Sequence, residues 1–199
     1  MKHSTRTTDP EQVGPDDLVT IDLDGQLVSG TELPPAERFI HTEIYRRRPE
    51  VGGIVHTHQP KATLLGVIGA QLLPLLHIPS VLTDTGAIPT WPYPLLVTTP
   101  ERGKAVADAM RLGSACHLQG HGLVTVGGDL RQAVIRALAV EQLADANLLA
   151  LQAGRRPRVI TEEEQADLRA TAASIDGRWA YFEGRLRAVA RPGTLPTHN

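Results

Sequence analysis

The chain has 199 residues, 41% of them hydrophobic and 21% charged. This composition excludes an intrinsically disordered protein and fits a single soluble globular domain. Lys and Arg number 20 against 22 Asp and Glu, so the net charge of −2 does not suggest a surface that binds polyanions, and no nucleic acid partner is expected. There is no apolar run as long as a membrane span, no signal-peptide pattern, and one cysteine, so we predict a cytoplasmic protein with no disulfide and no membrane partner.

The first part of the chain predicts an irregular arm, a hairpin and a helix. Residues 1–15 are polar and rich in turn formers, without periodicity. Alternating branched residues in 18–30 flank an Asp-Gly pair, which is a strong β-hairpin signal. A helix is predicted from Pro35 to about Arg48, because proline is tolerated near a helix N-terminus, and Glu37 then lies in its first turn.

Two histidines end a predicted strand in the sequence Gly-Gly-Ile-Val-His-Thr-His-Gln-Pro at 52–60. Side chains two positions apart on a strand point to the same face, with Cα atoms about 6.5 Å apart. His56 and His58 can therefore converge on one metal ion, since imidazole is a common ligand of divalent transition metals. The alternative is that the two histidines are unrelated, one packed in the core and one exposed.

The middle of the chain predicts alternating helices and strands. A helix is predicted at 61–70, a rigid proline-containing loop at 91–94, a strand at 95–98, and a helix capped by Thr99 that ends near Leu112. Strands at 115–119 and 123–126 flank Gly-His-Gly, where two glycines let the backbone turn and present His121. Cys116 lies in an apolar setting, which favours a buried structural thiol over a nucleophile.

The last third of the chain predicts two helical regions. Asp129, with Gln132 three residues later, begins a long helix in the manner of a capping box. Thr161 and Glu164 form a second capping box at the start of a C-terminal helical segment, 161–187. Its aromatic cluster could pack on a partner surface, cover a pocket mouth or lie in the core of one subunit; it consists of Trp179, Tyr181 and Phe182.

The combined pattern resembles the class II aldolase/adducin family over residues 16–154. The pattern consists of a helix that begins with Glu37, the His-Thr-His strand and the Gln-Gly-His-Gly turn at 119–122. The resemblance implies one α/β domain spanning 1–199, an α/β/α sandwich around a mostly antiparallel sheet, assembled as a homo-oligomer, commonly a tetramer. It further implies that His56, His58 and His121 bind a divalent metal and that Glu37 is the catalytic acid/base. We expect zinc, with manganese, iron or cobalt as alternatives, because histidine ligands suit all four.

The chain departs from the sugar-phosphate members of this family at three places. Pro35 and Ala36 replace the family's phosphate-binding Ser-Ser, and the pocket is expected to be more apolar through these residues and Trp91. The family's N-terminal Gly-Asn-x-Ser segment and Thr-Gly turn have no counterpart, so we interpret the chain as an N-terminally shortened member. His77-Ile78 replaces a His-Tyr pair, and His77 is a candidate catalytic acid in place of that tyrosine, the alternative being a structural histidine.

These features predict a metal-dependent carbon–carbon lyase, a decarboxylase or retro-aldolase. Its small-molecule substrate would be a non-phosphorylated oxo, hydroxy or aromatic acid. The Gln-Gly-His-Gly turn and the C-terminal helix are similar to the decarboxylases of hydroxylated aromatic acids and to the non-haem iron enzymes proposed for aminocoumarin pathways. Two alternatives stay open: a non-haem iron oxidative decarboxylase of an arylpyruvate- or mandelate-like acid, and a non-catalytic, adducin-like interaction module.

Overall fold

In the computed structural model, described here for residues 2–4, 14–78, 87–170 and 176–189, strands and helices alternate along most of the chain. The strands are β1 (Lys2–Ser4), β2 (Leu18–Ile21), β3 (Leu27–Ser29), β4 (Gly53–Thr57), β5 (Thr90–Trp91), β6 (Ala115–Leu118) and β7 (Gly122–Gly127). The α-helices are α1 (Arg38–Arg47), α2 (Pro60–Val67), α3 (Pro100–Met110), α4 (Leu130–Gln152), α5 (Glu162–Ala170) and α6 (Asp176–Val189).

The larger sheet has the order β4-β7-β6-β5 and lies between two helical layers. Strand β7 pairs antiparallel with both β4 and β6, and β5 pairs with β6 in parallel, which confirms a mostly antiparallel sheet. Because side chains alternate between the faces of a strand, Cys116 and Leu118 pack with α1 and α3 in one core, whereas Ala115 and Leu123 pack with α2 and α4 in the other. The fold is therefore an α/β/α sandwich. No helix within the described ranges is both long and apolar enough to cross a bilayer.

A smaller sheet, in the order β1-β2-β3, contains the predicted hairpin. Gly25 in its turn has φ +78°, a conformation that glycine adopts without strain. Residues 2–4 pair antiparallel with β2 instead of forming part of an irregular arm, because the edge of β2 offers them backbone partners. The rest of the predicted arm, 5–13, lies outside the described residues.

Helix α1 begins at Arg38, three residues later than predicted. Pro35 and Ala36 form a turn in which the Pro35 carbonyl accepts the Arg38 N–H at 3.2 Å. Glu37 is consequently the N-cap residue rather than a first-turn residue, and its side chain makes no capping hydrogen bond. The carboxylate is free to point away from the helix.

The predicted strand at 95–98 is wrong. Leu95 and Leu96 are exposed in an irregular segment, and the strand of this region is the short β5 immediately before the prolines. Pro92 and Pro94 lack the N–H groups that a ladder would need, and the Val97 N–H donates to a Glu37 carboxylate oxygen instead. This segment therefore bridges to α1.

The predicted capping residues are confirmed at three helices. Thr99 Oγ1 accepts the Arg102 N–H at 3.4 Å, and Asp129 Oδ1 accepts the Gln132 N–H at 2.7 Å. Thr161 and Glu164 exchange both hydrogen bonds of a capping box, at 3.2 and 2.9 Å. Each pairing lies within four residues, which is why local sequence predicts it.

Two further predictions concern the Cys116 thiol and the aromatic residues of the C-terminal segment. Cys116 is fully buried, and burial raises the pKa of its thiol to about 12, so almost no reactive thiolate is present at neutral pH. In α6, Tyr181 is exposed and its ring contacts Phe182 with centroids 5.3 Å apart. Residues 171–175, between α5 and α6, and the last ten residues lie outside the described residues.

Candidate metal centre

The end of β4 places two imidazoles side by side. The Nε2 atoms of His56 and His58 are 3.2 Å apart, as the spacing of two positions on a strand predicts. His56 Nδ1 lies 3.0 Å from the Leu123 carbonyl oxygen, which can only accept, so Nδ1 carries the proton. The lone pair of His56 Nε2 is therefore directed toward His58, in the tautomer that binds a metal.

The turn between β6 and β7 brings the third imidazole to the same point. Nε2 of His121 lies 3.0 Å from Nε2 of His58, although 63 positions separate the two residues. Gly120 has φ +66°, which a side chain would disfavour. Gly122 is needed for another reason: a Cβ atom there would overlap the Thr57 carbonyl oxygen and lie 3.0 Å from Cδ2 of His58. The two glycines thus allow, respectively, the turn and the close approach of β7 to His58.

Glu37 completes the cluster from the N-terminus of α1. Its Oε1 accepts the Val97 N–H at 2.8 Å, and its Oε2 lies 3.4 Å from Nε2 of both His56 and His121. Burial alone would raise the pKa of this carboxyl group. The neighbouring His121 and His56, together with the Val97 N–H, outweigh burial and hold the pKa of Glu37 far below its usual range. Glu37 is therefore ionised at neutral pH.

The donor set fits a divalent cation. Ligand atoms of Glu37 and the three histidines all lie within 4.8 Å of one another. Metal–nitrogen bonds of about 2.0–2.1 Å put neighbouring ligand nitrogens roughly 2.9–3.4 Å apart. The Nε2 separations of 3.2 Å between His56 and His58 and of 3.0 Å between His58 and His121 agree with that spacing. Burial lowers the pKa of His58, and the nearby His56 and His121 lower it further, against the opposite effect of Glu37, which favours the neutral imidazole that a metal requires. These four residues could hold a metal ion.

Two other residues singled out in the sequence lie apart from this cluster. His77 is exposed and is not among the four residues whose ligand atoms converge. Its role as a catalytic acid stays a prediction. Trp91, expected to make the pocket apolar, is only 4% exposed and packs in the core between the sheet, α1 and α3. Its ring is covered by that packing, so it does not form a wall open to substrate.

Backbone groups that orient this cluster could not be predicted from the sequence. The Val97 N–H and the Leu123 carbonyl carry no side-chain signal, since every residue type except proline offers both groups. Glu141, in the middle of the long helix α4, accepts the backbone N–H groups of Lys61 and Ala62 at the start of α2, both at 3.1 Å. An acidic residue opposite a helix N-terminus is recognisable only once the two helices are paired.

Gly122→Ala tests the close approach of β7 to His58. We expect the free energy of unfolding of the metal-free protein to fall by about 1–3 kcal/mol, because the new methyl group must displace the backbone of Thr57. Urea denaturation measures the change. Gly184→Ala is the matched control, since a Cβ atom there meets no atom within 4 Å. Equal stability of the Gly122→Ala variant and the wild type would show that the approach is looser than described.

Comparisons with known proteins agree with the sequence resemblance. Residues 5–148 match the profile of the Class II Aldolase and Adducin N-terminal domain. A 3,4-dihydroxyphthalate decarboxylase of Arthrobacter keyseri is 29% identical over 183 residues, which cover 87% of this chain and 74% of that protein. A 5-methylthioribulose-1-phosphate/5-deoxyribulose-1-phosphate aldolase of Rhodospirillum rubrum is 33% identical over 150 residues, 75% of this chain and 66% of the relative.

Solved structures give the same assignment of fold. An L-fuculose 1-phosphate aldolase superposes with a TM-score of 0.77 at 25% identity and covers 85% of this chain and 78% of its own. An aldolase II superfamily protein from Pseudomonas syringae superposes with the same TM-score at 18% identity, which bears on the fold alone.

Proposed function

This chain belongs to the class II aldolase and adducin family, and from that premise we propose that it is a metal-dependent carbon–carbon lyase acting on a non-phosphorylated acid. The observation that carries the proposal is the convergence of three imidazole Nε2 atoms and one carboxylate oxygen at one point. His56, His58 and His121 would hold the ion, with zinc first and manganese, iron or cobalt as alternatives. Such an ion, when bound, supplies a Lewis acid that withdraws electron density from a substrate oxygen.

Glu37 is the proton-transfer residue of this proposal. Its Oε2 faces the three imidazoles, and its Oε1 is held by the Val97 N–H, so the carboxylate has one fixed and one available oxygen. In a decarboxylation the bond to the carboxylate carbon breaks, CO2 leaves, and the carbon that keeps the electron pair takes up one proton. Glu37, ionised at rest, would relay that proton: Oε2 would take it up from a substrate hydroxyl group or from water and pass it to the carbon.

Two observations support an acid substrate without a phosphate. Pro35 and Ala36, immediately before Glu37, offer neither a hydroxyl group nor a charge to a phosphate group. Among the relatives, 3,4-dihydroxyphthalate decarboxylase acts, by its name, on a hydroxylated aromatic acid. We therefore favour decarboxylation of an aromatic or hydroxy acid over cleavage of a sugar phosphate.

The test is an assay of CO2 release from 3,4-dihydroxyphthalate by protein reconstituted with zinc, manganese, iron or cobalt, with an oxygen electrode in the same cell. We expect CO2 release without O2 uptake, loss of turnover after chelation, and recovery when the ion is returned. Stoichiometric O2 uptake would instead favour the iron-dependent oxidative decarboxylase. Cleavage of L-fuculose 1-phosphate alone would contradict a non-phosphorylated substrate. Failure to bind any of the four ions would favour the non-catalytic module.

A further inference from the structure

Helix α2 contacts both segments that carry the imidazoles. It begins at Pro60, two residues after His58, and its far end packs against the turn that carries His121. No other helix in the described part of the chain follows a histidine of the cluster so directly. The spacing of His58 and His121 thus depends on where α2 lies.

The N-terminal end of α2 is held by α4. Glu141 accepts the N–H groups of Lys61 and Ala62, two of the backbone donors that a helix N-terminus leaves without partners. Lys61 Nζ also pairs with Asp145 of α4 at 2.8 Å. The helix is therefore tied to the layer behind the sheet before it reaches the turn.

Side-chain hydrogen bonds join α2 to the turn that carries His121. Gln119 Nε2 donates to the Gly66 carbonyl oxygen at 3.3 Å. That carbonyl belongs to the last turn of the helix, where carbonyl groups carry partial negative charge and accept from outside the helix. Thr63 Oγ1 lies 3.5 Å from the His121 carbonyl oxygen, so a second contact from α2 reaches the same turn.

Gly66 also sets how closely the helix and the turn approach. A Cβ atom at Gly66 would overlap the Gly120 backbone nitrogen and lie 3.0 Å from Nε2 of His117. Glycine is a poor helix former, so its place inside α2 has a cost that this backbone contact explains. An alanine there would favour the helix locally but push the turn, and with it His121, away.

We propose that Gln119 and Gly66 are positioning residues that set His121 against His56 and His58 through α2. The inference rests on the proposed metal centre and adds residues that are not ligands to it. Gln119 holds the turn against the helix through its hydrogen bond to the Gly66 carbonyl oxygen. The absence of a Cβ atom at Gly66 allows the turn to come close enough for that hydrogen bond to form.

The experiment measures cobalt(II) binding by Gln119→Met and Gly66→Ala, from the visible d–d absorption and by competition with a chromophoric chelator. Methionine keeps the length of the side chain but cannot donate to the Gly66 carbonyl. We expect each variant to bind cobalt about tenfold more weakly, as loss of a group that orients a ligand does, with a changed d–d band. We further expect the melting temperature of the metal-free Gln119→Met protein to stay close to that of the wild type. Gly184→Ala is the control for Gly66→Ala, because both substitutions are at helical glycines and a Cβ atom at Gly184 meets no atom within 4 Å.

The same substitutions in a His121→Ala background separate positioning from general packing. With the third ligand gone, Gln119→Met is expected to weaken cobalt binding no further. Wild-type affinity and spectrum in both single variants would overturn the proposal. So would an equal loss of affinity with and without His121, since that result requires a path other than this ligand. A wild-type protein that binds no cobalt contradicts the metal centre itself, an outcome distinct from failure of the positioning residues.

Discussion

His121→Ala is expected to lower the affinity of the protein for zinc by about 100- to 1,000-fold. A four-ligand zinc site has an apparent binding free energy of about 10–16 kcal/mol, so one ligand carries roughly 2.5–4 kcal/mol, and each 1.4 kcal/mol is tenfold. Substitution of His121 is more informative than substitution of His56 or His58, because His121 lies on a different segment from the other two. Its Nε2 is nevertheless 3.0 Å from that of His58. Competition with a chromophoric chelator measures the affinity.

The matched control is His77→Ala, which removes an exposed histidine outside the convergent cluster. Its zinc affinity should equal that of the wild type. If His121→Ala binds zinc as tightly as His77→Ala does, the three imidazoles do not share one ion, and the proposed lyase loses its metal centre.

Glu37→Gln is expected to lower kcat by about 100- to 10,000-fold while the metal is retained. The carboxamide oxygen can still accept the Val97 N–H, so the side chain keeps its place, but the group can no longer take up or deliver a proton. Steady-state kinetics together with metal analysis of the same preparation measure both quantities. Glu101→Gln, at an exposed position in the first turn of α3, is the control and should keep wild-type turnover.

The same variant has a pH-dependent effect on stability. The folded-state pKa of Glu37 is depressed, so its ionisation stabilises the fold above the unfolded-state pKa of about 4.3, and that contribution is lost as pH falls toward the folded value. The metal-free Glu37→Gln protein should therefore unfold more easily than the wild type at pH 7, and the difference should shrink below about pH 4. A kcat near that of the wild type would remove Glu37 from the chemistry, whatever the stability measurement shows.

Local sequence predicted those features whose partners lie within a few residues. Thr161 and Glu164 form their capping box three positions apart, and the Asp-Gly pair closes the hairpin between β2 and β3. His56 and His58 face the same way because alternation along a strand is a property of the backbone itself. Family resemblance, rather than spacing, added His121 and Glu37 to the candidate site.

The amino-acid sequence by itself determined the residue types of the site, the caps and the periodicity of most strands and helices. Tertiary structure alone decided that Val97 gives its N–H to Glu37 instead of to a strand and that Gly122 is needed against Thr57. The physical reason is distance along the chain: these contacts join residues 60 or more positions apart, and they form only where packed layers bring two backbones together. Periodicity and capping rules describe a residue's near neighbours, so they carry no information about which distant carbonyl, N–H group or imidazole will lie opposite.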